Sequence, residues 1–547
     1  MKKQLFLLVI MLLPLAVSAR TTKVKIDGIN YLIDSSSKTA QVVKWNGLDN
    51  KYCGDIVIPS SISYYEEDYM VTGMGYGVFE SCTGLTSVTI PYSITSFGEK
   101  VFSGCTGLVS IVVEEGNPTY DSRENCNAII ETASNKLIYG CKSTIIPNNV
   151  TTIGSLAFLG YNGPTSMIIP DGVISIENEA FKNCDGLTSV SIGNGVTSIE
   201  NEAFCNCSNL TTVELNNNAI VSKNYDPKTE PTIGTFFGSQ VEEYILGEEV
   251  TSIGNCAFYW CLMTSLHMSD NITTIGEKAF CFCSQLSSIN LSANLTTIGE
   301  YAFQNCQILT SITIPKNVER IGFGAFGWCF ELTKVEIYSN AVVSRDNEQF
   351  YSMPSCFGKQ VKEYVLGEEV TKIGSYAFYD SNELVSIIIP SHVTNVGDSA
   401  FYNCISMTDI YCYEEQVPET GKDVFVSSNY TNATLHVPAA SLDAYRNAEH
   451  WKDFGNIIAL PAQDEQRTGI DVDDDGILTA KDITAIVDVI TGKTTDEATK
   501  SAADVNGDGV VNIADIVKIA NAIRGSQEHN REYVPFGNHG VGSSDHF

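Results

Sequence analysis

At 547 residues the chain is long enough for several domains, and its 43% hydrophobic content is ordinary for a soluble protein. Acidic residues outnumber basic ones 65 to 33, for a net charge of −32. That balance argues against nucleic-acid binding, since phosphate contacts need Lys and Arg, and it suits cation binding.

Lys2 and Lys3 precede an apolar run from Leu5 to Val17, closed by Val17-Ser18-Ala19. This predicts a secretory signal peptide over residues 1–19. The run is too short for a comfortable membrane span. No Cys follows the cleavage site, so no lipoprotein anchor is expected, and no later stretch could span a membrane. The expected location is secreted or cell surface. Residues 20–75 are less regular; Asp27-Gly28 predicts a hairpin turn, and the segment reads as an N-terminal cap.

From 76 to 405 the chain repeats itself. Phe79, Phe102, Phe158, Phe181, Phe204, Phe258, Phe280, Phe303, Phe326, Phe378 and Phe401 mark one position, mostly 23 residues apart, with 22 between Phe258 and Phe280. A fixed period of this size predicts a solenoid. The two long gaps each hold an enlarged coil, marked by Phe237 and Phe357. Val241–Val250 and Val361–Val370 match 120 residues apart, the trace of a larger duplication. In each coil, alternation such as Leu85, Val88, Ile90 predicts a strand with one inward face, ended by Pro91. A second extended piece such as Val150–Ile153 follows, then a Gly turn into a helical turn bearing Ala-Phe and Cys. Stacking the coils buries one continuous core. Residues 111–147 read as an irregular coil with a second hairpin.

Cys82, Cys105, Cys184, Cys207, Cys261, Cys283, Cys306, Cys329 and Cys404 all lie three residues after a marker Phe. They should form an internal column, free Cys packing as a small hydrophobe. Disulfides, or metal binding at Cys205-Asn206-Cys207 and Cys281-Phe282-Cys283, are the alternatives.

Recurrence together of Ile-Pro, Val-Thr-x-Ile-Gly, Ala-Phe-x-x-Cys and Leu-Thr-Ser-Val closely resembles the BspA-type leucine-rich repeat of bacterial surface proteins, over roughly residues 50–405. The resemblance implies a right-handed solenoid used for adhesion or recognition, with no shared catalytic residues. Residues 406–460, with Trp451 and Phe454, match the closing segment often seen in that family and read as a C-terminal cap.

After a polar linker, 461–467, two acidic loops appear. Asp471, Asp473, Asp475, Thr479 and Asp482 occupy loop positions 1, 3, 5, 9 and 12, with Gly476 at the sharp turn and the Ile477 carbonyl at position 7. Asp504, Asn506, Asp508, Val510, Asn512 and Asp515 repeat the set 33 residues later. Such oxygen sets predict two Ca²⁺ ions. Each loop opens a helix with an apolar stripe: Ile483, Ile486, Val487, Ile490 against Ile516, Ile519, Ala520, Ile523. The duplicated unit, 468–525, resembles a type I dockerin. This implies calcium-dependent folding and docking to a cohesin-like protein, with the family's recognition positions falling on Ala480-Lys481 and Ile513-Ala514. Residues 526–547 are a polar tail.

Two surfaces of the solenoid could bind ligand. Outward Thr and Ser on the strands, such as Thr188, Ser189, Thr211 and Thr212, could meet glycans, or could simply suit a solvated strand. Two residues after the marker Phe, Asn183, Asn206, Asn305 and Asn403 give way to Trp260, Phe282 and Trp328, with Tyr259 beside the first. Such aromatic faces stack on sugars or anchor proteins, or else fill space between coils. The chain lacks a nucleophile–base pair, a phosphate loop and a zinc motif, so no enzyme is expected. The expected fold is a repeat solenoid (leucine-rich repeat, mainly β with short helical turns) plus a small all-α calcium-binding dockerin-like domain. The expected function is non-catalytic recognition or adhesion toward a protein or glycan. The alternative, from the dockerin resemblance, is an accessory of an extracellular polysaccharide-degrading complex.

Overall fold

The computed structural model describes residues 21–44, 52–161, 163, 165–346 and 352–460, and beyond these only 486, 487, 489, 490, 503 and 511. The predicted signal peptide, the linker, the tail and, apart from Val511, both acidic loops lie outside the described residues. The chain divides into two compact units, Met1–Ile458 and Ala459–Phe547.

The first unit is a β-solenoid. A regular coil gives a four-residue strand to one parallel ladder and a two-residue strand to another. Ser166–Ile169, Ser189–Ile192 and Thr212–Leu215 pair in register, with Met167, Val190 and Val213 aligned and inward. Thr152–Ile153, Ser175–Ile176 and Ser198–Ile199 form the second ladder, their Ile side chains buried. The alternating apolar residues therefore do what a period of two requires, one face in and one out.

The Ala-Phe-x-x-Cys segment, expected as a helical turn, is instead a pair of tight turns. The residues two before and two after the marker Phe take positive φ, for example Glu179 (57°) and Asn183 (60°), which no right-handed helix allows. A third ladder runs here: the Phe181 N–H donates to the Ala203 carbonyl (2.7 Å), and Phe280 donates likewise to Ala302 (2.7 Å). The Phe rings stack face to face beneath it, Phe158, Phe181 and Phe204 being 4.8 Å apart.

Helical segments occur in the two enlarged coils. Asn218–Val221 and Ile233–Phe237 in one correspond to Asn340–Val343 and Met353–Phe357 in the other. Asn217 and Ser339, both fully buried, accept the N–H of Ile220 and Val342 and so start these helices. Phe237 and Phe357 continue the ring column, contacting Phe204 and Phe326 at 4.9 and 5.2 Å.

The core is not continuous as expected. One apolar cluster spans Val24 to Cys141 and a second spans Cys126 to Ile457. The seam lies at the irregular coil, where Ala128–Glu131 and Lys136–Gly140 form an antiparallel hairpin. This coil has no marker Phe. Tyr139 packs on Phe102 instead (5.5 Å), and Gly140 lets the chain pass Phe158, whose ring would meet an added Cβ at 2.1 Å.

At the N-terminal side, Thr21–Ile26 and Ile29–Asp34 form the hairpin turning at Asp27-Gly28. Gly73–Met74 pairs in parallel with the two-residue strand Ser96–Phe97, which belongs to this sheet. At the other side the long ladder runs on through Asp409–Cys412 and Thr434–Val437 to Asn456–Ala459. Phe425 extends the ring column from Phe401 (5.5 Å) and meets Trp451 and Phe454 edge-on. Of the second unit, Ile486, Val487, Val489 and Ile490 are helical, and Ile486 and Ala503 are buried. Among the described residues no helix is long and apolar enough to cross a membrane.

Candidate functional site

The thiol column lies inside the solenoid. All nine column cysteines are buried, and none of the seventeen thiols is in a disulfide. Their role is more than packing. Cys105, Cys184, Cys207, Cys283, Cys306, Cys329 and Cys404 each donate S–H to the carbonyl of the preceding coil's marker Phe, at 2.9–3.4 Å. Ser428 makes the same bond to Phe401. After each enlarged coil a Gln amide takes over, Gln240 donating to Phe237 and Gln360 to Phe357. The Ser381 hydroxyl, at the column position that follows, is then buried without a partner. Burial pushes the Cys281 thiol up to about 12 and Cys283 well above its ordinary value. Among the described residues no three or more His, Cys, Asp or Glu side chains are grouped so as to hold a metal ion, at Cys205 and Cys207 or at Cys281 and Cys283.

The strand hydroxyls are also engaged. Thr188 Oγ1 donates to the Thr165 carbonyl (2.8 Å), and Thr211 and Thr408 bond one coil back in the same way. They clip adjacent coils together.

The aromatic positions stand apart. The residue two after the marker Phe is left-handed in nearly every coil: Asn183, Asn206, Asn305 and Asn403 have φ of 58–62°, and Gly104 and Gly160 are similar. Asn and Gly tolerate this conformation, whereas a bulky residue there is strained by about 1–2 kcal/mol. Trp260 (61°), Phe282 (66°) and Trp328 (63°) occupy it nonetheless. The turn ladder holds them, Trp260 N–H donating to Cys281 and Phe282 N–H to Gln304. Trp260 is 62% exposed and Trp328 64%, so these two rings do not fill space between coils; Phe282 is half-buried.

Of the expected patch, three residues come together. Trp260 lies 5.0 Å from Phe282, tilted by 33°, and Tyr259 meets Phe282 edge-on at 5.7 Å. Trp328 is two coils further along, past the buried Asn305. It has other company: Phe330, 62% exposed, borders with it a groove of about 330 Å³ that Tyr301, Gln304 and Lys359 also line. The spacing rule missed Phe330 because it stands four, not two, residues after its marker. Lys359 is held by Asp380 at 3.7 Å. Lys278 bonds Glu277 (2.5 Å) and sits over the Tyr301 ring.

The calcium sets (Asp471, Asp473, Asp475, Ile477, Thr479, Asp482; Asp504, Asn506, Asp508, Val510, Asn512, Asp515) and the docking positions Ala480, Lys481, Ile513 and Ala514 lie outside the described residues. Their donors are all oxygens, carboxylate, amide, hydroxyl and carbonyl, the hard set that Ca²⁺ prefers.

A family model described as BspA type leucine-rich repeat region matches residues 55–138, 129–225, 232–356 and 354–447. The chain belongs to the BspA-type leucine-rich repeat family. A second model, the dockerin type I domain, matches residues 469–524, so the leucine-rich repeat protein also carries a dockerin domain. Among solved structures it is similar to a leucine-rich repeat protein from Bacteroides ovatus, at 25% identity over 80% of this chain and 100% of that one, TM-score 0.36. It is also similar to a leucine-rich cell surface protein from Faecalibacterium prausnitzii, at 19% identity over 82% of this chain and 97% of that one, TM-score 0.21. A third similarity is to a leucine-rich repeat protein of T. pallidum, at 17% identity over 53% and 91% of the two chains, TM-score 0.20. A search of curated proteins gave no match.

Proposed function

We propose that this leucine-rich repeat protein is an exported, non-catalytic recognition protein with two binding ends. The solenoid presents Tyr259, Trp260, Phe282 and Trp328 to a protein or glycan ligand. The dockerin domain binds two Ca²⁺ through its acidic loops and attaches the protein to a cohesin-like partner, with Ala480, Lys481, Ile513 and Ala514 at the contact. One observation carries the first half: exposed Trp side chains persist at backbone positions where Asn or Gly would be unstrained. Strain kept at a surface, by rings that stay more than half exposed, points to a use for the side chain.

The test takes the full chain as wild type and as Trp260→Ala and Trp328→Ala. Ligand capture, from a glycan array and from cell-surface protein extracts, should fall in both variants while unfolding midpoints stay near wild type. Unchanged capture with lost stability would reject the reading. The second half is tested by binding to immobilised cohesin with and without chelator; capture that ignores chelator would reject calcium-dependent docking.

A further inference from the structure

We infer that the ligand of the aromatic face is a linear, uncharged polysaccharide laid along the solenoid axis. This rests on the reading of Trp260, Phe282 and Trp328 as a binding face and names its ligand class.

The argument begins with the spacing. The marker rings beneath the face step by 5.3, 5.0 and 4.9 Å from Phe258 to Phe326. Trp260 and Trp328, fixed by the same turn in their coils, are therefore about 15 Å apart along the axis, three steps of strand spacing. A β-linked pyranose chain rises by close to one such step per ring. A ligand with its own repeat can thus keep register with the solenoid, resting one sugar on the Trp260–Phe282 platform and another beside Trp328. The rung between, at Asn305, is buried and presents no third aromatic ring, so the two platforms are separate contacts along the axis.

Chemistry agrees with spacing. Exposed aromatic faces stack on the C–H faces of sugars, and Tyr301, Gln304 and Lys359 line the adjoining groove with hydroxyl, amide and ammonium groups. Both cations near the face are already paired, Lys359 with Asp380 and Lys278 with Glu277. On a chain of net charge −32, an acidic glycan would be repelled.

The test titrates the full chain with β-1,4-linked gluco-, manno- and xylo-oligosaccharides of one to six units by calorimetry. A protein ligand captured from surface extracts is scored in parallel. For at least one series, affinity should rise with length until the chain spans both platforms. Each platform should be worth about tenfold, so Trp328→Ala should weaken the six-unit ligand about tenfold and leave the two-unit ligand unchanged. Binding of acidic oligosaccharides in preference, or a Trp260-dependent protein ligand with no response to the neutral series, would overturn the inference and leave the aromatic face as a binding site. Absence of any Trp260- or Trp328-dependent ligand would overturn both.

Discussion

Replacing Cys306 separates the two jobs of the thiol column. Its S–H donates to the Phe280 carbonyl at 3.4 Å in a fully buried site. Cys306→Ala removes that bond, worth about 0.5–1.5 kcal/mol net, and removes buried volume near that of a methylene, about 0.8 kcal/mol. The expected loss is about 2 kcal/mol. Cys306→Ser keeps the donor, as Ser428 does natively toward Phe401, and should cost under about 1 kcal/mol. Ser381 is the converse case. Gln360 already occupies the Phe357 carbonyl and the Ser381 hydroxyl is buried without a partner, so Ser381→Ala should stabilise by up to about 1 kcal/mol. Urea unfolding of the full chain in reducing buffer, followed by tryptophan fluorescence, measures all three through the midpoint at constant slope. If Ser and Ala at 306 cost the same, or if Ser381→Ala destabilises, the thiols act as filler and the hydrogen-bond account is wrong.

Trp260→Asn should leave stability unchanged or raise it by about 1 kcal/mol, because Asn suits the left-handed turn, while ligand binding weakens about tenfold; unfolding and titration of the same variant check both. Gly140→Ala forces a Cβ to 2.1 Å from the Phe158 ring and should cost about 1–3 kcal/mol, read as a lowered melting temperature. Native labelling with a maleimide at mildly alkaline pH should reach exposed Cys53 and half-buried Cys205 and Cys256, and spare the column, whose thiols are buried away from the reagent; mass spectrometry locates the adducts. Chelation, or Asp471→Ala with Asp504→Ala, should lower the helical signal that the two acidic loops are expected to open, and leave the solenoid melt in place, as circular dichroism would show.

Much of this was readable because a solenoid repeats its interior at a fixed address. The Phe marker, the Ile of the short strands and the inward residues of the long strands each recur where packing is the same in every coil. The enlarged coils were legible for the same reason, through Phe237 and Phe357. The closing coil was not: Phe425 stands 24 residues after Phe401 and is followed by Ser428 rather than Cys, so two marks failed together. The seam in the core was hidden because Tyr139 replaces a Phe on a hairpin, outside the period. At the candidate site the substitution of Asn by Trp and Phe was visible, but its meaning was not. The recurring Asn reports a positive φ, and only backbone angles reveal that the aromatic residues are strained there. Phe330 was missed because exposure, not spacing, marks it.

The left-handed residue after each marker Phe has a consequence for how such a protein diversifies. Its backbone is tied into the turn ladder, so a regular coil offers one slot at this turn, outward at Trp260 and Trp328, whose contents leave the hydrogen-bonded scaffold behind it in place. Exchanging Asn for Trp at one slot, or Trp for Asn at another, redraws the contact map without asking the fold to reorganise. A solenoid of this kind carries a row of pegs, some touching the next, and a lineage can try new targets peg by peg.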